Sequence, residues 1–163
     1  LMQWAGASQC TVVYDGALPS TQALNTALGS RRNVALVVQT TDGRTFGSFS
    51  GKVRAPNGVH DNDFDVENDA RFFVFVLDNP AHPGARRFAK RNTEYTLSRF
   101  ASKNESVVVE ADGCFRIATA SGVSSVSRYF EEEYVDAAGQ RERFLGKDGE
   151  TFSVQHFSIL ELK

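Results

Sequence analysis

The stretch that decides the fold is Phe72-Phe73-Val74-Phe75-Val76-Leu77, six consecutive apolar residues preceded by Arg71 and followed by Asp78-Asn79-Pro80. A short run that is rich in Phe and Val and ends at a turn signal predicts a β-strand, with a buried helix segment as the alternative. Successive side chains of a strand point to opposite faces, so all six are buried only if both faces of the sheet are covered. We therefore expect a central strand with a packed layer on each side.

Most other strands are predicted in pairs that are joined by tight turns. Asp42-Gly43 and Asp112-Gly113 each lie between two β-prone runs, which is a strong hairpin signal. A chain of this length is expected to form one domain, here residues 1–163. The pattern favours a mainly β (α+β) fold, in which two packed antiparallel β-sheets form a sandwich with a few short flanking helices.

One helix is predicted between residues 20 and 29. Leu24 and Leu28 are four residues apart and form an apolar stripe. Ser20 is a suitable N-cap, and Gly29 is a suitable terminator. We expect a helix of two to three turns that packs on a sheet.

Two irregularities are predicted within strands. Phe46 and Phe49 are three residues apart, so they point to opposite faces of a regular strand. Gly47 between them indicates a bulge or a close backbone approach. A slip of the apolar phase in the last strand predicts a second bulge at Gln155-His156.

Composition and charge exclude several classes of protein. The formal net charge is −2, so there is no basic excess to favour nucleic acid. No apolar run approaches the roughly 18 residues of a membrane span, so membrane insertion is not expected. The N-terminal residues do not have the charged leader and apolar core of a signal peptide. With only two cysteines, Cys10 and Cys114, the composition is typical of reduced thiols in a cytoplasmic protein.

Motifs for catalysis and for cofactor binding are not met. In Gly47-Ser48-Phe49-Ser50-Gly51 the serines are second and fourth, whereas a nucleophile elbow needs serine third. The phosphate-binding loop fails as well, because Val53 replaces its Ser or Thr. His60, His82 and His156 do not have the spacing of metal ligands. The chain is therefore predicted not to be an enzyme and to need no cofactor.

An acidic run from Asp61 to Asp69 leaves two interpretations open. Its acids stand at every second residue, as at the start of a calcium loop. An EF-hand that begins at Asp61 would need Gly and Glu where Val66 and Phe72 stand. An irregular calcium site is one interpretation, and a solvated loop or an edge strand with its acids in water is the other.

Two oppositely charged clusters are candidate contact sites for another protein. Residues 84–91 are predicted to form a basic helical turn, which places like charges four residues apart and favours an acidic partner. Residues 128–135 put Tyr129, Phe130 and Tyr134 on an apolar side and three glutamates on an acidic side. The acidic partner of the basic turn is either Glu131-Glu132-Glu133 of this chain or a surface of another protein, and the alternative is that these basic residues are solvated surface charges. The predicted partner-binding residues are Arg86, Arg87, Lys90, Arg91, Glu131, Glu132 and Glu133.

Taken in order, these pieces resemble the TLDc domain family. Residues 10–16, Cys-Thr-Val-Val-Tyr-Asp-Gly, are similar to the family's first strand and its "lYdsd.dG" segment. Residues 42–49, Asp-Gly-Arg-Thr-Phe-Gly-Ser-Phe, are similar to its "g.iFGgy" hairpin. Residues 72–77 stand where the family has "FLFSL", and residues 114–117 and 152–159 stand where its later strands fall.

This resemblance implies a sandwich of two antiparallel sheets bordered by helices, without a settled catalytic site. It also implies a link to oxidative-stress resistance and association with the peripheral sector of the vacuolar proton pump (V-ATPase). The first hypothesis is thus a non-enzymatic protein-interaction domain. The alternatives are a metal-dependent ligand- or glycan-binding sandwich that uses the Asp61 to Asp69 loop, and a thiol-based antioxidant enzyme that uses Cys10 or Cys114.

Overall fold

The computed structural model describes residues 1–29, 31–52, 64–99, 106–119, 122–139, 142–147 and 149–163. Within these ranges the helices are short, namely α1 (Met2–Ala5), α2 (Thr21–Leu28) and α3 (Phe130–Glu133). The strands in the same ranges are β1 (Cys10–Gly16), β2 (Arg32–Thr40), β3 (Thr45–Lys52), β4 (Phe64–Glu67), β5 (Phe73–Asp78), β6 (Arg86–Lys90), β7 (Tyr95–Arg99), β8 (Val107–Ala111), β9 (Phe115–Ala118), β10 (Ser124–Val126), β11 (Tyr134–Val135), β12 (Thr151–Phe152) and β13 (Val154–Leu162). None of the helices in the described ranges is long and apolar enough to cross a membrane.

Hydrogen bonds join these strands into two antiparallel sheets. The first sheet has the strand order β1-β13-β2-β3-β5-β6-β11, and the second has the order β12-β10-β9-β8-β7-β4. The sheets pack face to face around one apolar core, to which Phe46 and Val74 contribute from the first sheet and Val109 and Ile117 from the second. The predicted mainly β fold, with two packed antiparallel sheets and a few short helices, is confirmed.

The hexapeptide at residues 72–77 supplies the central strand β5. It lies between β3 and β6, and residues 72–76 are all buried. Val74 and Val76 point into the core between the sheets, whereas Phe73 and Phe75 belong to a second apolar cluster on the outer face. Cover on both faces is therefore confirmed, because alternate side chains of this strand enter two different clusters.

The outer cluster is covered by the N-terminal segment, residues 1–9. Its helix α1 packs on the outer face, where Ala5 is buried and Leu1, Met2 and Trp4 are half-buried. Arg71 Nη2 donates a hydrogen bond to the Ala5 carbonyl oxygen over 2.8 Å. The amides of Ser8 and Gln9 donate to the carbonyl oxygen of Lys163, which ties the two chain ends together.

Several local predictions are confirmed. The Ser20 hydroxyl accepts a hydrogen bond from the amide of Ala23, as an N-cap does. Both predicted hairpins form, β2 with β3 and β8 with β9. The register of β13 against β2 shifts between Val154 and His156, which is the predicted second bulge.

At Gly47 the structure selects the close approach. Pairing of β3 with β2 runs without a break from Phe46 to Phe49, and the two rings point to opposite faces. A Cβ at Gly47 would lie 1.9 Å from the Leu36 carbonyl oxygen and 2.8 Å from Cζ of Phe75. Only glycine leaves room for the neighbouring strands at this position.

The helical turn predicted at residues 84–91 is wrong. Arg86–Lys90 form the strand β6, and Phe88 of this strand is paired with Val74 of β5. Arg86, Phe88 and Lys90 share one face and Arg87 points to the other, so the expected crowding of like charges on one helical turn does not occur. Pairing with a buried neighbouring strand overrides the local preference.

Two further predictions are refined. The sequence predicts Tyr129, Phe130 and Tyr134 on one apolar side. Phe130 and Tyr134 are buried, whereas Tyr129 is 61% exposed. Residues 53–63, the first part of the acidic run included, lie outside the described residues. Phe64–Glu67 form β4, an edge strand of the second sheet as one interpretation expected, whereas Asp69 at the end of the run is buried and not in water.

Candidate functional site

The two predicted charge clusters lie together at one edge of the first sheet. The basic residues are on β6 and directly after it, and β11 pairs with β6 through Tyr134 opposite Lys90 and Val135 opposite Ala89. The glutamates are on α3, which leads directly into β11. We call the seven residues the charged edge: Arg86, Arg87, Lys90, Arg91, Glu131, Glu132 and Glu133.

Phe130 fixes α3 against the sheet. Its ring makes an edge-to-face contact with Phe88, with 5.2 Å between ring centroids, and stacks on Tyr134 with 4.8 Å between centroids. A helix of four residues is not stable alone, so this aromatic packing holds it in place. The three glutamates that follow Phe130 are thereby held beside β6.

Lys90, one of the predicted partner-binding residues, is buried. Its side chain is only 3% exposed and forms ion pairs with Glu133, over 3.0 Å, and with Asp112. Its Nζ also donates a hydrogen bond to the Asp112 carbonyl oxygen. Asp112 is in the turn between β8 and β9, so Lys90 links the first sheet to the second. The acidic cluster thus pairs with the basic one inside the chain at Lys90.

The turn next to Lys90 is shaped for this ion pair. Gly113 has a positive φ of 69°, and a Cβ there would lie 2.2 Å from Oε2 of Glu133. The Tyr134 hydroxyl donates to the Asp112 carbonyl oxygen over 2.5 Å, and burial raises the pKa of Tyr134 well above its usual range. The phenol therefore stays protonated as a hydrogen-bond donor.

Arg86 and Arg87 are half-buried and lean on aromatic rings. The Arg87 guanidinium carbon lies 4.3 Å from the centroid of Phe73 on the outer face, and that of Arg86 lies 5.6 Å from the centroid of Phe88. Such contacts stabilise a cation in addition to the packing of its stem. Both residues thus contribute to the fold as well as to the surface charge.

The remaining members of the charged edge reach the solvent. Arg91 and Glu132 are exposed, with a weak contact of 3.5 Å from Arg91 Nη1 to the Glu132 carbonyl oxygen. Glu131 accepts a hydrogen bond from Arg143 Nε over 3.2 Å. Surface pairs of this kind contribute little to stability, so these groups are available for contacts with another molecule.

Two pockets of opposite charge are lined by residues of the charged edge. One, of about 600 Å³, is lined by His82, Arg86, Glu142 and Arg143 among others, and we call it the arginine pocket. The other has a volume of about 290 Å³ and is lined by four acidic and two basic residues, so we call it the acidic pocket. Its lining includes Lys90, Arg91, Glu94, Tyr95, Asp112, Glu132 and Glu133.

His82, Tyr95, Glu142 and Arg143 were not predicted as site residues. Arg143 is 12 residues from its partner Glu131, and Glu142 is 56 residues from Arg86. The alternation of charge in residues 141–143 was the only local signal. Recognising the pockets needed the pairing of β6 with β11.

The thiols do not form a joint site in the described structure. Both are free, with Cys10 exposed on the edge strand β1 and Cys114 buried beside β9. Burial raises the pKa of Cys114 well above its usual range, so its thiolate is disfavoured. The geometry gives the thiol-enzyme hypothesis no support at Cys114.

The acidic run is described only in part. Asp69 is buried and accepts hydrogen bonds from the Ser50 hydroxyl over 2.9 Å and from the amides of Lys52 and Arg71, each over 3.1 Å. These donors occupy the carboxylate in the fold. Among the described residues, no three His, Cys, Asp or Glu side chains come together as metal ligands.

A serine, an aspartate and a histidine also meet between β1 and β13. Asp15 accepts from the Ser158 hydroxyl over 2.5 Å and contacts His156 Nε2 over 2.8 Å, and the two contacts lower its pKa, the one with Ser158 most. In a catalytic triad the histidine lies between the serine and the carboxylate. Here the carboxylate is in the middle, so the serine is not activated by a base.

The chain matches no model of a known protein family and no curated protein.

Proposed function

We propose that this chain is a non-enzymatic protein-interaction module that contacts its partner through the charged edge. The proposal is supported by one observation above all, the presence of two oppositely charged pockets that are both lined by residues of the charged edge. Glu131 binds Arg143 of the arginine pocket, while Glu132 and Glu133 line the acidic pocket. Such a pattern suits a partner surface with the complementary arrangement of charges.

The charged groups are held in position before any partner arrives. Arg86 donates to the Phe144 carbonyl oxygen over 3.3 Å, and Arg143 donates to that of Gly146 over 3.2 Å. Fixing long side chains in the unbound protein lowers the entropy lost on binding. Arginine is also enriched at protein interfaces.

The proposed partner follows from the resemblance to the TLDc family. We infer that it is a subunit of the peripheral sector of the vacuolar proton pump, that the contact is made in the cytoplasm, and that it serves oxidative-stress resistance. If opposite charges guide the binding of the peripheral sector to this chain, the association rate should fall as the salt concentration is raised.

The test uses substitutions that leave the fold intact. Arg91→Glu and Glu132→Lys change exposed side chains, whereas Arg86, Arg87 and Lys90 have contacts in the fold. Binding of purified peripheral sector to immobilised chain should weaken roughly tenfold in each variant, mainly through a slower association rate. Circular dichroism should show unchanged folding.

Arg32→Glu is the matched control, because Arg32 is an exposed arginine on β2, away from the charged edge. It should bind as the unmodified chain does. Equal binding of all four proteins would overturn the proposed surface, and no binding by the unmodified chain would overturn the proposed partner.

A further inference from the structure

The arginine pocket carries the chemistry of an anion site. Two guanidinium groups and one imidazole line it, from the loop before β6, from β6 itself and from the segment after β11. Among the described residues that line it, Glu142 supplies the one carboxylate. The charge within the pocket is therefore positive, although the chain as a whole has a net charge of −2.

Arg86 is fixed at this pocket from three directions. Its ring contact with Phe88 lies on one side, and its Nη2 and Nη1 atoms bind the Phe144 carbonyl oxygen and the Glu142 carboxylate. Its Nε atom is buried and has no hydrogen-bond partner among the described residues. This Nε atom is shielded from solvent, so an anion in the pocket would reach Arg86 through Nη1, whose partner Glu142 has a 44% exposed side chain.

Arg143 supplies a second, more open guanidinium. Its side chain is 59% exposed, with Nε bound to Glu131 and Nη1 bound to the Gly146 carbonyl oxygen. Because the side chain is largely exposed, a ligand in the pocket can reach this guanidinium from solvent. The same pocket wall presents the exposed side chain of His82.

We propose that the arginine pocket binds the phosphoryl group of a phosphorylated side chain on the partner protein. An incoming anion must compete with Glu142 for Arg86. A phosphoryl group carries roughly −1.5 to −2 charges and three acceptor oxygens at neutral pH, so it competes better than a second carboxylate. Two guanidinium forks are suited to such an oxygen array.

The identity of the occupant as a partner side chain rests on the proposed function, whereas the anion site itself does not. The probes are therefore small: inorganic phosphate, a Gly-phosphoserine-Gly peptide with blocked ends, and its Gly-Glu-Gly counterpart. Each is titrated into isotope-labelled chain, and the side-chain and amide NMR signals of His82, Arg86 and Arg143 are followed at constant ionic strength.

We expect saturable shifts at these residues with phosphate and with the phosphopeptide, and weaker binding of the glutamate peptide. Arg143→Gln should weaken phosphate binding roughly tenfold, because a charge-assisted hydrogen bond is lost. Glu142→Gln should strengthen it, because the competing carboxylate is gone. Arg32→Gln, in an exposed arginine elsewhere, should have no effect.

The site would be overturned if phosphate caused equal NMR shifts in the Arg143→Gln and Arg32→Gln variants. It would also be overturned if Glu142→Gln weakened phosphate binding. Binding of phosphate without a preference for the phosphopeptide over the glutamate peptide would overturn the phosphorylated occupant. The outcome is separate from that of the partner experiment, since it needs neither the pump sector nor Arg91 and Glu132.

Discussion

At the scale of single residues, Lys90 makes a larger contribution to the fold than its position in a charged cluster suggests. It is a buried cation between two acids that keep partial contact with water, since Asp112 and Glu133 are 38% and 36% exposed. Replacing both acids by amides leaves the buried cation with hydrogen-bond acceptors, among them the Asp112 carbonyl oxygen, but without a counter-charge. Removing the lysine leaves two carboxylates that regain water, and methionine fills the space of its stem.

We therefore predict that Asp112→Asn combined with Glu133→Gln lowers the free energy of unfolding by about 3–5 kcal/mol. Lys90→Met should cost clearly less. Urea unfolding followed by circular dichroism measures both values. Glu132→Gln, in an exposed neighbour, should change stability by less than about 0.5 kcal/mol. A larger loss in Lys90→Met than in the double variant would contradict this account of the ion pair.

The sequence predicted that residues 86–91 and 131–133 carry the charges of interest, but not which of them are buried. Burial of Lys90 depends on Asp112, 22 residues away, and on Glu133, which the pairing of β11 with β6 places beside it. Neither of these contacts can be predicted from the spacing of residues along the chain. The charges could thus be identified from the sequence, whereas their division into structural and exposed groups could not.

At the scale of elements, Gly47 sets how closely β2, β3 and β5 approach. The nearest atom to a Cβ there is a backbone oxygen, that of Leu36, which cannot rotate away as a side chain can. We predict that Gly47→Ala lowers the free energy of unfolding by roughly 1–3 kcal/mol or more, as in other overpacked cores. Thermal and urea unfolding measure the effect.

Gly16→Ala is the matched control for this prediction. Gly16 is also in a strand of the first sheet, and a Cβ there would meet the end of the Tyr14 side chain at 3.6 Å and 3.9 Å, which are ordinary contacts. Alanine at this position should be neutral or stabilise by up to about 1 kcal/mol, because it restricts the unfolded chain. Equal losses in the two variants would show that the glycine at residue 47 has no special role in strand spacing.

β6 marks the limit of prediction at this scale. Its sequence, Arg-Arg-Phe-Ala-Lys, has one large apolar residue, so the two-residue alternation of a strand is barely visible. Its strand conformation comes from pairing with β5, whose Val74 lies opposite Phe88. In contrast, β5 has enough apolar residues to be recognised from the sequence alone.

At the scale of the whole molecule, the sequence required two layers over β5 but did not identify the outer one. The inner layer is the second sheet, which the hairpin signals predicted. The outer layer is the N-terminal segment, whose short helix has no side-chain cap and whose position depends on Arg71 and Lys163. Contacts between such distant parts of the chain have no local signature.

This arrangement predicts that the N-terminal segment unfolds together with the sandwich. Trp4 is the only tryptophan of the chain and packs on the outer cluster, so its fluorescence reports whether the segment is docked. We expect the tryptophan and circular dichroism transitions in urea to coincide, as they do for one cooperative unit.

Deletion of residues 1–8 should lower the free energy of unfolding by about 3 kcal/mol, since it uncovers Phe49, Phe73 and Phe75. Gln3→Ala, in an exposed residue of the same helix, should leave both transitions in place. A tryptophan transition at lower urea than the circular dichroism transition would mean that the segment is an independent cover and not part of the cooperative core.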